Sequence, residues 1–334
     1  MALVLSEDQQ LLRDSARHFC QDNAPISVVR RLRDEKSELG YDEAIWRQMI
    51  ELGWPGMAIA EKYGGFEFGY TGLGLVLEET GRTLASSPLI ASVLLGASLL
   101  SEAGNEEQKS KLLPQIVAGK LRLAVGVDEG PHHAPSRVAC SAVKEGTEYI
   151  LTGTKSFVLD GQTADKLLVS ARTSGEPYSE GGISLFILDG NAQGLQIQRA
   201  TMVDSRNAAN MVLDQVRVPE DSLLGVEGAG FTALDTALDI ARIGVASEML
   251  GSVQEVFQRI VEYLKQREQF GVQIGAFQAL QHRAAKMYSE IELCSSAVLA
   301  ALRCLDDPSA TAKDRAIMAS LAKAKLSEVS ETVS

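Results

Sequence analysis

The chain is 334 residues long, with 45% hydrophobic and 5% aromatic residues, enough for two or three domains with buried cores. Its formal net charge of -12, without a basic stripe, argues against nucleic acid as a partner, although a local cation could still meet a small anion. Cys20, Cys140, Cys294 and Cys304 show no CxxC spacing, which argues against a zinc site or disulfide framework and points to a reducing, cytoplasmic setting.

Met1 to Asp8 has no basic segment ahead of an apolar run, so no signal peptide is expected. Ser6-Glu7-Asp8-Gln9 reads as a capping box opening a helix, with Leu11, Leu12, Ala16 and Phe19 at helical spacing. A second helix is expected from Tyr41 to Leu52. Gly53 to Phe66 holds four glycines and a proline and reads as a long shaped loop, either functional or a packed connector. Helices are expected from Gly72 to Leu84, Pro88 to Ala103 and Asn105 to Val117, the last with Asn105 as N-cap. Leu89 to Leu100 is the most apolar run, too short to span a bilayer and interrupted by Ser92, Gly96 and Ser98.

The period then changes. Short runs rich in Val, Ile, Leu and Phe occur at Arg122–Val127, Tyr149–Leu151, Lys155–Leu159, Lys166–Ser170, Ile183–Leu188, Leu195–Gln198 and Met211–Val218, separated by turns such as Asp189-Gly190-Asn191. These predict an antiparallel barrel or sandwich. Asp221 to Gly230 reads as a linker. Helical spacing returns with Met249, Val253, Val256, Ile260 and Leu264, then from Gln278 to Leu305, and again from near Ala312. The last helix carries no stop signal, so the chain looks incomplete at that end. The expected layout is an N-terminal helical domain at 1–118, a β-barrel domain at 119–226 and a C-terminal helical bundle at 227–334.

Few residues offer chemistry. His18, His132, His133 and His282 form no metal pair at helical spacing, and no GxSxG, GxxxxGK[ST] or GxGxxG follows a strand. What remains is the junction Arg267 to Gln278 between two long helical patterns. It joins a fixed cation, an aromatic ring, two glycines and an amide, a set suited to an anion and a flat ring, or simply to a helix C-terminus favouring a cation.

Read from Arg267 through Gln281, Arg-x-x-Phe-Gly-x-x-Ile-x-x-Phe-Gln-x-x-Gln resembles the signature of the acyl-CoA dehydrogenase family. Tyr63-Gly64-Gly65, Leu151-Thr152-Gly153-Thr154-Lys155-Ser156-Phe157-Val158, Ala164-Asp165 and Val216-Arg217-Val218-Pro219 resemble it in the same order, and the likeness extends over essentially the whole chain. The resemblance implies an α+β multidomain fold with an N-terminal helical domain, a central antiparallel β-barrel and a C-terminal helical bundle. It implies a tetrameric flavoprotein that uses FAD to convert an acyl-CoA to the 2,3-enoyl-CoA, with an electron-transfer flavoprotein as acceptor. By resemblance Arg267 reaches the FAD pyrophosphate in a neighbouring subunit, Phe270 packs by the cofactor, Gln278 hydrogen-bonds it, and Arg242 helps shape the acyl-CoA pocket.

The departures are specific. Where the family has Thr-Glu-Pro-x-Ala-Gly-Ser-Asp, touching flavin and thioester, this chain has Asp128-Glu129-Gly130-Pro131-His132-His133-Ala134-Pro135-Ser136. Asp128 replaces a flavin-contacting threonine, and Leu159 stands at a second such position. The family's base position on the helix before the junction is Ala241, which takes no proton; in most members the base lies further on, beyond Ser334. The pattern is similar to heteromeric, steroid-type actinobacterial members, in which a flavin-binding homologue is the partner. A self-sufficient homotetramer and a non-catalytic scaffold subunit remain as alternatives.

Overall fold

The structure is a computed structural model and describes residues 4–334. Nine α-helices occur among the described residues: α1 (Glu7–Asn23), α2 (Ile26–Asp34), α3 (Glu43–Glu51), α4 (Gly69–Thr83), α5 (Ser98–Ala103), α6 (Glu106–Val117), α7 (Gly230–Gln266), α8 (Gln278–Asp306) and α9 (Ala312–Val333). The strands are β1 (Leu123–Gly126), β2 (Ser141–Glu145), β3 (Glu148–Leu159), β4 (Lys166–Arg172), β5 (Ile183–Asp189), β6 (Leu195–Thr201), β7 (Asn207–Pro219), β8 (Leu223–Leu224), β9 (Glu268–Gln269) and β10 (Val272–Gln273). The chain forms two compact units, one comprising residues up to 27, 68–85 and 242–334, the other 28–67 and 86–241.

The first unit is helical. The α1 cap forms as expected, with the Ser6 hydroxyl accepting from the Gln9 amide while the Gln9 side chain takes the Ser6 amide. α1 meets α4 through a buried ion pair: Arg17 donates to Glu79 from Nε at 3.0 Å and Nη2 at 2.8 Å, and the Glu79 side chain is 0% exposed. α4 and the later part of α7 approach at glycines. A Cβ on Gly81 would lie 1.9 Å from the Glu248 carbonyl oxygen, and one on Gly251 1.7 Å from that of Glu78. Asp306, at the end of α8, accepts from the amides of Tyr70 and Thr71 at 2.6 and 2.8 Å and so caps the start of α4. α9 opens on a capping box between Thr311 and Asp314.

The second unit carries the sheet, and here the expectation of a closed antiparallel barrel is corrected. The strand order is β6-β7-β3-β2-β4-β5-β8, and the end strands β6 and β8 do not pair among the described residues, so the sheet is open. It is also mixed: one edge of β4 is shared by β1 and by Ser141 of β2, both parallel to it. Burial explains why β1 and most of β5 read as continuous apolar runs, whereas β7 alternates. The core includes Leu151, Leu167, Phe186 and Val216, with the Tyr149 and Phe186 rings 4.9 Å apart.

Local differences from expectation have local causes. β2 holds one fully buried residue and escapes a hydrophobicity search. The expected strands Tyr149–Leu151 and Lys155–Leu159 are one strand, β3, with register shifts between Leu151 and Gly153 and between Lys155 and Val158. The long apolar helix begins with a buried π-helical stretch, Leu89–Ala97, before α5. The Gly53–Phe66 loop is a packed connector. Its Phe66 amide returns to the Gly56 carbonyl at 2.9 Å, and the Phe66 ring covers Gly53 and Gly56. No helix among the described residues is long and apolar enough to cross a membrane.

Candidate functional site

The junction is a β-hairpin. α7 ends as the Arg267 amide donates to the Tyr263 carbonyl at 2.9 Å, and Glu268–Gln269 then pairs antiparallel with Val272–Gln273. The two residues between, Phe270 and Gly271, both take positive φ, 56° and 78°, the arrangement of a type I′ turn. Glycine adopts it freely; phenylalanine is strained there, which leaves a large ring at the tip of a tight turn. That ring is 92% exposed and meets Phe277 edge-on at 6.2 Å. The base of the hairpin is closed by Ile274 donating to the Arg267 carbonyl at 2.8 Å. Gln281 then donates to the Gly275 carbonyl at 2.9 Å in the first turn of α8. Arg267 and Gln278 are exposed at the two ends of this connector, and among the described residues the guanidinium has no ion-pair partner. Arg267, Phe270 and Gln278 thus lie on one solvent-facing connector between α7 and α8.

Asp128 and Leu159 belong to the other unit. Asp128 leaves the sheet just after β1, and its carboxylate is spent within its own loop. It accepts from the Ala134 amide at 2.8 Å and meets His133 Nδ1 at 2.9 Å. The next carboxylate, Glu129, accepts from the amides of Ala139 at 2.7 Å and Cys140 at 3.0 Å, and takes Lys155 Nζ at 2.7 Å. The Lys155 side chain is 0% exposed.

On β3 the bulge places Ser156 and Phe157 opposite Asn210. Phe157 has φ 54°, is 56% exposed, and its amide is held by Asn210 Oδ1 at 3.1 Å. A strained, exposed aromatic two residues from Leu159 is a site feature the residue pattern left unnoticed; its only local signal was an aromatic ring beside a strand irregularity. Leu159 and Asp160 border a cavity of about 30 Å³, together with Tyr41, Arg206 and Asn207, room for a water molecule. Burial pushes the Asp160 carboxyl up to about 7, with Arg206 and Arg122 pulling the other way.

Ala241 and Arg242 are consecutive, partly buried residues of α7, and Asp239 is buried one turn earlier. Ala241 offers no proton acceptor. Among the described residues no group of three or more His, Cys, Asp or Glu side chains could hold a metal ion. The chemistry available is therefore anion and ring recognition at the hairpin, and a self-bonded loop at 128–140.

Comparisons with known proteins agree over the whole chain. The acyl-CoA dehydrogenase N-terminal domain matches residues 6–120, the middle domain 130–216 and the C-terminal domain 228–334. The chain is 32% identical to a mitochondrial isovaleryl-CoA dehydrogenase of Pongo abelii, over 93% of this chain and 74% of that protein. It is 30% identical to an acyl-CoA dehydrogenase of Bacillus subtilis, covering 86% of this chain and 76% of that one. Among solved structures, butyryl-CoA dehydrogenase from Megasphaera elsdenii superposes with a TM-score of 0.88 at 29% identity, over 100% of this chain and 87% of that one. The Tcur3481-Tcur3483 steroid ACAD variant superposes with a TM-score of 0.84 at 33% identity, over 98% and 84%. The helical, β and helical segments found above therefore follow the order of that family's domains, and the chain belongs to the acyl-CoA dehydrogenase family of FAD-dependent oxidoreductases.

Proposed function

We propose that this chain is one subunit of a heteromeric acyl-CoA dehydrogenase and lends its Arg267–Gln278 hairpin to FAD held mainly by a homologous partner. The observation that carries this reading is the hairpin itself. A strained, 92% exposed phenylalanine and an arginine without an ion-pair partner among the described residues, on one hairpin, suit a ligand held by another chain. Arg267 would pair with the pyrophosphate, Phe270 would cover a flat part of the cofactor, and Gln278 would hydrogen-bond it. When bound, FAD supplies the acceptor for the β-hydrogen of the acyl thioester.

The 128–140 loop fits FAD poorly. Asp128 lacks a hydroxyl donor and its carboxylate is already bonded to Ala134 and His133, while Leu159 offers no polar atom. Ala241 supplies no base at the family's position on this helix, and the role we assign Arg242 is to help bind acyl-CoA. One similar structure is named for a pair of products, Tcur3481 and Tcur3483, and as a steroid ACAD. This favours a bulky acyl thioester and a paired assembly. The scattered free cysteines suit a cytoplasmic setting, and the family resemblance suggests an electron-transfer flavoprotein as acceptor.

The test is flavin absorbance of the purified chain, alone and co-purified with a flavin-binding homologue. The lone chain is expected to carry little FAD, and the pair to carry FAD and bleach a dye acceptor with acyl-CoA. One tightly held FAD per lone chain sinks the heteromer reading. A pair that carries FAD but never reduces the dye leaves the chain a scaffold.

A further inference from the structure

The helical unit holds a cavity of about 560 Å³, walled by α1 and the residues just after it, the end of α4, and α7. Its lining carries three arginines, Arg17, Arg82 and Arg259, against two carboxylates, Glu79 and Glu255. That is an excess of one positive charge in a chain whose net charge is -12. The carboxylates are already engaged. Arg17 forks both oxygens of Glu79, from Nε at 3.0 Å and Nη2 at 2.8 Å, and Arg259 Nε takes Glu255 Oε1 at 2.8 Å. Arg82 is left with less. Its Nη2 donates to the Gln254 side-chain oxygen, a neutral acceptor. Its Nε is buried and stands 3.2 Å from Glu79 Oε2, but makes no hydrogen bond among the described residues. Glu78 does not complete it either: that carboxyl lines another cavity with Arg13 and Gln254, and burial pushes it up, toward its neutral form. One residue after Arg82, Thr83 Oγ1 is buried with only the Cys20 thiol, a weak partner, beside it.

A polar group taken out of water is costly until something bonds to it. Both unfilled groups here are donors: a guanidinium keeps its protons at any physiological pH, and a hydroxyl can give its hydrogen to an oxyanion. A carboxylate satisfies both, and charge-assisted bonds of this kind are the strong ones. One excess positive charge is matched by one negative charge, which favours a monoanion over a dianion such as phosphate. Pro25 and Ile26 on the same lining give an apolar surface for the body of the ligand. The volume falls within the range of about 300–1,000 Å³ common for small-molecule sites. We propose that this cavity binds a small monocarboxylate, whose head accepts from Arg82 and Thr83 and whose short apolar body packs on Pro25 and Ile26. The site needs neither FAD nor a partner subunit, so it stands apart from the heteromer reading.

The test is isothermal titration calorimetry of the purified full chain with three probes: butyrate, inorganic phosphate and butan-1-ol. Butyrate is expected to bind once per chain with a Kd on the order of 1 mM. Phosphate should bind at least about tenfold more weakly, and butan-1-ol should give no saturable heat, because it lacks the charge. Arg82→Met should weaken butyrate at least about tenfold, but it also takes a cation from the buried Glu79 and can cost the fold. Two milder variants therefore carry the decision. Thr83→Val removes a hydroxyl that has no strong partner, so thermal stability without ligand should hold while butyrate affinity falls about threefold or more. Arg259→Met, at a side chain 64% exposed, removes the excess charge and should weaken butyrate by a similar factor. Absence of saturable butyrate binding overturns the proposal. Phosphate binding as tight as butyrate overturns it too, as does wild-type butyrate affinity in both Thr83→Val and Arg259→Met.

Discussion

Replacing Gly251 by alanine sets two effects of opposite sign against each other. In a helix interior alanine is favoured over glycine by about 1 kcal/mol, so propensity alone predicts stabilisation. The structure predicts the reverse. The new Cβ would stand 1.7 Å from the Glu78 carbonyl oxygen and 2.8 Å from its carbon, both main-chain atoms of α4 that no rotamer change can move. Restoring ordinary contact requires the two helices to part by roughly 1.5 Å. That movement loosens the reciprocal contact of Gly81 on Glu248 and the bond from Ser252 Oγ to the Gly81 carbonyl, now 2.9 Å. Overpacking of this kind costs about 1–3 kcal/mol and occasionally more. With no soft atom to yield, we take the upper end, and after the propensity gain Gly251→Ala should destabilise by about 2 kcal/mol. In urea followed by circular dichroism the midpoint should fall by about 0.5–1 M at unchanged slope. The control is Gly72→Ala on α4. Its Cβ meets Phe68 Cδ1 at 2.2 Å, but that ring belongs to a residue 41% exposed and can swing outward. The control should stay within about 0.5 kcal/mol of wild type. A Gly251→Ala chain as stable as wild type, or a control equally damaged, refutes the reasoning.

Arg17→Met should cost about 2–3 kcal/mol, because Glu79 is 0% exposed and among the described residues keeps Arg82 alone as ion-pair partner, 3.2 Å away; Arg17→Met/Glu79→Leu should regain more than half in the same urea assay. Asp160 binds a proton in the fold up to about pH 7 that the unfolded chain releases near its ordinary 3.8, so its contribution to stability falls as pH rises between those values. Asp160→Asn should flatten that decline, seen as a smaller drop in Tm from pH 4.5 to pH 7.5 than wild type shows; an equal drop discards the assignment. Phe270→Ala should leave the unfolding free energy in urea within about 0.5 kcal/mol of wild type, given a ring 92% exposed, while lowering the FAD content of the co-purified pair. A loss of stability without loss of flavin would make the ring structural.

What could be read from the residues followed the range of the interaction. The α1 capping box and the α6 N-cap need only residues within three positions, and both formed, Ser6 with Gln9 as expected and Asn105 as the expected cap with Gln108 completing a box that was not expected. The Arg267–Gln278 junction is likewise local, although Phe270 in a positive-φ position of a I′ turn carried no signal, since Asn or Gly is the usual occupant there. The helix Ile26–Asp34 was not among the expected elements, because its apolar face is short, with Leu32 its one buried residue. Sheet closure lay out of reach. Alternation identifies strands, but that β1 runs parallel to β4 depends on residues 43 apart, Leu123 against Lys166. The same distance effect hid Lys155, since a lysine on a strand reads as a surface residue until its partner Glu129, 26 residues earlier, is seen beneath it. Asp128 shows how such partners change an argument. From sequence its carboxylate opposes the negative charge of a reduced flavin. In the fold that charge is met by the Ala134 amide and His133, so repulsion is not the main departure. What the substitution removes is a hydroxyl donor, and with Leu159 apolar as well, the loss is of hydrogen bonds to a cofactor. Installing them should therefore take two changes: Asp128→Thr alone frees the loop without restoring the contact at 159, and only Asp128→Thr/Leu159→Thr should raise the FAD content of the lone chain.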